Sequence, residues 1–208
     1  MQQQIQQIGL FASGAGSNAK KIIDHLTPNP TPQVERGAEE EKRLKEEEGA
    51  KVVLIVCNNP TAGVLKIAEK ENIPSIIIER KKFYEDGYLA ELKNYNIDLI
   101  VLAGFLWKVQ AEIIRSYQNR IINSHPALLT KFGGKNMYGN FVHEAVINAG
   151  EKESGITIHY VDEIYDHGKI IFQAKCTVDE NDTPQSLAEK IHVLEHKHYS
   201  SIIEKIIV

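Results

Sequence analysis

Three residues carry the chemistry of this chain most directly. Asn123 and His125 lie in the run Asn123-Ser124-His125-Pro126, and Asp166 lies in the acidic turn Asp162–Gly168. An amide and an imidazole two positions apart on an extended segment project to the same side. Asn supplies a neutral donor for a developing oxyanion, and His exchanges a proton near neutral pH. A carboxylate sets the tautomer and charge of a working imidazole. Asp166 is the best candidate, because its turn joins two apolar runs and so reaches the end of a sheet. Together the three suit attack on a carbonyl-like carbon. The tetrapeptide alone reads more readily as an Asn turn and a structural His before proline; the rest of the chain reverses that reading. His167 is the rival to Asp166, and its place beside Gly168 implies solvent exposure.

A second group binds rather than reacts. Ser13-Gly14-Ala15-Gly16-Ser17-Asn18 follows an apolar strand and opens a helix. Glycines let backbone approach an anion, and free N–H groups at a helix start bind phosphate. Ser17 and Asn18 add side-chain donors and suit helix capping. Gly14-x-Gly16-x-x-Ala19 also fits a dinucleotide fingerprint, which needs a carboxylate at the end of the next strand. That strand ends in Cys57-Asn58-Asn59, so a monophosphate ligand suits the loop better, with a plain tight turn as the bland alternative.

The elements that must position these groups alternate as strand and helix. Strands are expected at Ile8–Ala12, Lys51–Cys57, Pro74–Glu79, Asp98–Ala103 and Arg120–Asn123. Helices are expected at Asn18–Leu26, Ala62–Glu71, Tyr84–Tyr95 and Val109–Tyr117. This order predicts an α/β fold with a doubly wound, mostly parallel sheet. After a Gly- and Pro-broken loop from Pro126 to Asn140, a short helix is expected at Phe141–Ala149. An antiparallel strand pair follows, Ile156–Val161 and Lys169–Val178. A long final helix begins at Thr183-Pro184, with Thr183 as N-cap. Residues 1–208 are expected to form one domain, with a charged surface insert at 28–50 centred on Glu35–Glu48.

Composition narrows the class. A net charge of −4 gives no basic field for nucleic acid, so an anionic substrate needs local donors. Cys57 and Cys176 sit in apolar runs and read as buried thiols of a reducing compartment. No run approaches the ~20 apolar residues of a membrane helix. The Gln-rich start lacks a signal-peptide layout, and a cytoplasmic location is expected. One motif invites a metal reading: His192-x-x-Glu195-His196 places two imidazoles one helical turn apart. Nothing nearby in sequence offers a third ligand, so no metal is expected.

The ordered motifs Ser13–Asn18, Leu102-Ala-Gly-Phe-Leu106, Asn123–Leu129, Gly155-Ile-Thr-Ile-His159 and Asp162–Gly168 resemble the phosphoribosylglycinamide formyltransferase family. The resemblance covers nearly the whole chain apart from the insert. It implies a Rossmann-like formyltransferase fold and a role in purine synthesis. The reaction implied is attack by the amine of glycinamide ribonucleotide on the formyl carbon of 10-formyltetrahydrofolate, a co-substrate. Mapped here, it gives Asn123 the formyl oxygen, His125 charge stabilisation and proton transfer, and Asp166 the orientation of His125. Gly16, Ser17 and Asn18 would hold the phosphate and Glu195 the ribose. Leu102, Leu106, Trp107, Lys108, Val109 and Asp162 would line the folate site. Lys81 and Lys82 are the candidates for the folate tail, and Thr130 stands where the family usually carries proline.

Related chemistries remain open at this stage. A methionyl-tRNA formyltransferase shares the Asn-x-His-Pro core but normally carries a further carboxyl-terminal domain. A 10-formyltetrahydrofolate deformylase uses water as acceptor and typically carries an amino-terminal regulatory domain. A non-catalytic nucleotide-phosphate binding protein would keep the loop without needing Asn123, His125 and Asp166 to converge. A monomer or homodimer is expected, with no nucleic-acid or membrane partner.

Overall fold

Strand β4 (Leu99–Leu102) is buried at every position, which requires cover on both faces of the sheet. Its side chains alternate between two cores. Leu99 and Val101 face one, and Ile100 and Leu102 the other. In β1 (Gln6–Ala12), Ile8, Leu10 and Ala12 join the first core and Phe11 the second. These facts come from a computed structural model that describes residues 5–27, 49–85 and 88–207. Almost all of the expected charged insert, residues 28–48, lies outside the described residues.

Seven strands form one sheet in the order β3-β2-β1-β4-β5-β6-β7. The remaining strands are β2 (Ala50–Cys57), β3 (Ser75–Ile77), β5 (Ile121–His125), β6 (Glu153–Tyr160) and β7 (Ile170–Thr177). The first five pair in parallel, whereas β5/β6 and β6/β7 are antiparallel. The expected doubly wound sheet with an antiparallel carboxyl-terminal pair is therefore the observed one.

Helices α1 (Ser17–Leu26), α2 (Gly63–Lys70) and α7 (Pro184–Ile207) cover the first core. Helices α3 (Arg80–Glu85), α4 (Leu89–Lys93) and α5 (Ala111–Ser116) cover the second. Helix α6 (Asn140–Asn148) adds Val146 to the first core. The start of α7 is capped reciprocally, as Thr183 at that position implies. Ser186 N donates to Thr183 Oγ1 (3.2 Å), and Thr183 N donates to Ser186 Oγ (2.9 Å).

Two boundaries differ in ways that matter. The single helix expected at Tyr84–Tyr95 is two short helices, α3 ending at Glu85 and α4 beginning at Leu89. Strand β5 also runs past its expected end at Asn123 through His125. Register pairs with β6, from Ile122↔Tyr160 to His125↔Thr157, hold it extended. Asn123-Ser124-His125 is therefore the polar end of a strand.

Candidate active site

The sheet reverses its winding between β1 and β4, and the crevice beyond the carboxyl ends of the strands opens there. A cleft of about 940 Å³ occupies that place, within the usual span of small-molecule sites. The expected catalytic, phosphate, ribose and folate-ring residues line it: Asn123, His125 and Asp166; Gly16, Ser17, Asn18 and Glu195; Leu102, Leu106, Trp107, Lys108, Val109 and Asp162. Ser13 fastens the two walls at the switch point. Its N donates to Gly104 O (3.1 Å), and its Oγ accepts from Leu106 N (2.9 Å).

His125 and Asp166 meet across the sheet end. His125 is buried, with Nδ1 3.5 Å from Asp166 Oδ2. Its Nε2 lies 2.8 Å from the carbonyl of Phe132. A carbonyl only accepts, so Nε2 carries a proton and Nδ1 faces the carboxylate. Asp166 Oδ2 also accepts from Gly134 N (2.8 Å). This seat depends on glycine at 133, where a Cβ would stand 2.5 Å from Leu129 Cδ2 and 3.2 Å from Asp166 Cβ. Asp166 itself has φ +54°, a left-handed conformation that Asp and Asn tolerate better than most residues.

A third imidazole completes the cluster. His159 on β6 is buried, with Nε2 3.2 Å from Asn123 Nδ2 and 3.7 Å from Asp166 Oδ1. Its Nδ1 lies 2.8 Å from the carbonyl of Tyr160. Burial holds its pKa below the ordinary histidine value, against the opposing pull of Tyr160 and Asp166. His159 stood within a recognised motif but had no role assigned. The signal that would have found it is the β5/β6 register, Asn123↔His159.

On the opposite wall, Glu195 ties helix α7 to α1 and β5. Its carboxylate is buried yet accepts from Asn18 Nδ2 (2.9 Å) and Ser124 Oγ (2.9 Å), with His192 Nδ1 at 3.3 Å. Burial alone would raise its pKa, but the bonds from His192, Asn18 and Ser124 outweigh burial and hold it low. The bond to Glu195 raises the pKa of His192 in turn. These contacts correct two expectations. The Asn18 amide donates to Glu195 instead of capping α1, whose start has no side-chain cap. His192 and Glu195 lie one turn apart on α7, and the contact steadies the carboxylate that reaches Asn18 and Ser124, a role that sequence reading did not give His192. Among the described residues, no three His, Cys, Asp or Glu side chains group closely enough to hold a metal ion.

The glycine-bearing loop Ser13–Asn18 leads directly into α1. The first α1 bond runs from Lys20 N to Gly16 O, so the N–H groups of Ser17, Asn18 and Ala19 have no intrahelical acceptor. Gly16 has φ +85°, and a Cβ there would come within 2.9 Å of Val64 Cβ and Ile67 Cδ1. Glycine is thus required by both conformation and space.

The other arm of the cleft is apolar and cationic. Leu102 and Val109 are buried, Leu106 is exposed at the mouth, and Trp107 packs on Phe83, Tyr84 and Phe105. Lys108 Nζ lies 5.5 Å above the Tyr165 ring. Arg80, Lys108 and Lys135 line the cleft without a carboxylate partner among the described residues. Lys81 and Lys82, the sequence candidates for a tail contact, instead pair with Glu85 (3.9 Å) and Glu91 (3.8 Å), and neither lines the cleft. Asp162 accepts from Ile164 N (2.7 Å) and His167 Nδ1 (2.8 Å), so exposed His167 serves Asp162 and not His125. His143 was also missed. It is buried in the cleft wall with no partner for Nδ1 among the described residues, and burial lowers its pKa.

The formyl transferase family profile matches residues 6–203. Phosphoribosylglycinamide formyltransferase of Bacillus subtilis is 35% identical over 209 residues, covering 98% of this chain and 95% of that protein. The chloroplastic phosphoribosylglycinamide formyltransferase of Arabidopsis thaliana is 34% identical over 203 residues, 95% of this chain but 64% of its own length. Glycinamide ribonucleotide transformylase 1 from Geobacillus kaustophilus superposes with a TM-score of 0.80 at 30% identity, covering 99% of this chain and 100% of that one. The cleft at the switch point, the polar end of β5 and these likenesses agree: the chain belongs to the formyl transferase family.

Proposed function

We propose that the chain transfers the formyl group of 10-formyltetrahydrofolate to the amine of glycinamide ribonucleotide, a step of purine synthesis. The observation that carries this reading is the meeting of Asn123, His125 and Asp166 in one cleft with the α1 phosphate loop. The names of relatives that this chain matches over most of its length support it. The nucleotide phosphate fits the N–H groups of Gly16–Asn18 and the ribose fits the Glu195 wall. The flat pterin fits the apolar arm from Leu102 to Val109 beside Asp162. The cations of the cleft suit two anionic substrates in a chain whose own charge is −4.

In this reading the amine nitrogen attacks the formyl carbon, and the carbonyl oxygen becomes an oxyanion. Asn123 Nδ2 donates directly to that oxygen. His125 has both nitrogens engaged by protein, so it acts first through its charge; donation from Nε2 requires release from Phe132 O. Asp166 stabilises that charge. The N10–carbon bond of the folate then breaks, and the proton lost by the amine ends on N10, relayed by the His125–Asp166 pair. None of these steps calls for a metal ion.

No described helix is long and apolar enough to cross a membrane, and both cysteines are free. Free thiols suit a reducing compartment, and our reading places the reaction in the cytoplasm, in a monomer or homodimer without nucleic-acid or membrane partners. The deciding assay is conversion of 10-formyltetrahydrofolate to tetrahydrofolate by chelator-treated protein. Conversion is expected only with glycinamide ribonucleotide present. Acceptor-independent conversion would replace this reading with a deformylase, and no conversion by folded protein would leave a nucleotide-binding protein.

A further inference from the structure

We infer that His159 is a positioning residue that fixes the amide of Asn123, turning one N–H of Nδ2 onto its own ring and leaving the other for the reacting oxygen. The inference rests on the formyl-transfer reading for what that oxygen is, but its geometry stands alone. Tyr160 O, 2.8 Å from Nδ1, only accepts, so Nδ1 carries the proton. In the neutral ring Nε2 is then a lone pair, and Asn123 Nδ2 at 3.2 Å is the donor that meets it. A rotated Asn123 would bring its carbonyl oxygen against that lone pair. The ring holds one orientation of the amide for this reason, and that orientation presents N–H groups, which an oxyanion needs.

The groups packed around His159 favour this state. His125 and Asp166 face it, and Asp162 lies further along the same turn. Asp166 Oδ1 at 3.7 Å would attract a proton onto Nε2, but the ring is 2 % exposed and desolvation opposes the charge. Protonation of Nε2 would set an N–H against the Asn123 amide and turn the amide round. The family chemistry assigned to Asn123 therefore depends on a neighbour that need not touch substrate. Among the described residues, the hydrogen-bond partner of His159 Nε2 is the Asn123 amide.

The test combines kinetics with a direct view of the ring. In the wild-type enzyme, ¹⁵N NMR of labelled histidines should show His159 as the neutral Nδ1–H tautomer at pH 7.5; an Nε2–H or charged ring there would overturn the inference whatever the variants do. His159→Phe should lower kcat roughly tenfold to a hundredfold, short of the ~10²–10³ of deleting the donor, with KM for glycinamide ribonucleotide nearly unchanged. His159→Gln, whose Oε1 can accept from Asn123, should recover most of that rate. In an Asn123→Ala background His159→Phe should cost almost nothing more, since its effect runs through that amide. A full additional loss in that background, or equal losses for Phe and Gln, would refute the positioning role while leaving formyl transfer intact. Lack of wild-type transfer would instead strike the functional reading, and the NMR result would still decide the geometry.

Discussion

Replacing Asp166 by Asn removes one charge from the buried cluster and changes little else. The substitution keeps the backbone, because Asn tolerates the left-handed conformation at φ +54°. The Asn Oδ1 can still accept from Gly134 N, so the 133–134 loop stays in place. What disappears is attraction between the carboxylate and a protonated His125 at 3.5 Å. At an effective dielectric of about 20, that attraction is about 5 kcal/mol. The amide dipole and rearranged water return part of it, so a net loss of ~3–4 kcal/mol in the transition state is expected. That is a fall of roughly 10²–10³ in kcat. Steady-state kinetics in both substrates should show the fall in kcat, with each KM within about threefold of wild type. Thermal unfolding should show a Tm within a few degrees of wild type. A wild-type kcat in the folded variant would refute the assignment of His125 and Asp166 as the charged pair of the reaction.

Three further outcomes follow from the walls of the cleft. The folded state raises the pKa of His192, so its bond to Glu195 stabilises below the ordinary histidine value and fades as pH rises through the folded one. Glu195 is depressed, so its share is lost only as pH falls through its low folded value. The Tm gap between wild type and His192→Ala should accordingly be larger at pH 6 than at pH 8.5, by ~1–3 °C; a gap independent of pH would contradict the pairing. Arg80→Ala should raise KM for 10-formyltetrahydrofolate about tenfold and leave KM for the ribonucleotide alone, whereas Lys81→Ala should change neither. Gly16→Ala forces a Cβ against Val64 and Ile67 at positive φ, and should cost ~1–3 kcal/mol in denaturant unfolding together with weaker ribonucleotide binding. Unchanged stability there would mean the loop is less tightly packed than described.

The strand and helix order was legible because a parallel sheet covered on both faces writes itself as apolar runs. The site was legible in its local parts, Ser13–Asn18 and Asn123–His125, where residue type and element boundary coincide. What stayed hidden is non-local. Hydropathy ends β5 early, because Asn123, Ser124 and His125 are polar and only pairing with β6 keeps them extended. His159 and His143 gain meaning from neighbours far away in sequence. Arg80 could not be separated from Lys81 and Lys82 until α3 showed which of the three faces the cleft. Asn18 looked like a cap, and became a donor to Glu195 only when α7 docked beside α1.

The Asn18–Glu195 bond spans 177 positions, and Ser124–Glu195 spans 71. The Tyr199 hydroxyl, from the same helix, shares its proton between the carbonyls of Leu102 (3.0 Å), the last residue of β4, and Ile122 (3.3 Å), near the start of β5. On the ribosome the phosphate loop, the polar strand end and the Asp166 turn all emerge before the helix that locks them together. A nascent chain can therefore build its sheet without completing a competent site. Catalytic competence arrives late, with the docking of α7, and a refolding experiment should see native secondary structure precede the return of turnover.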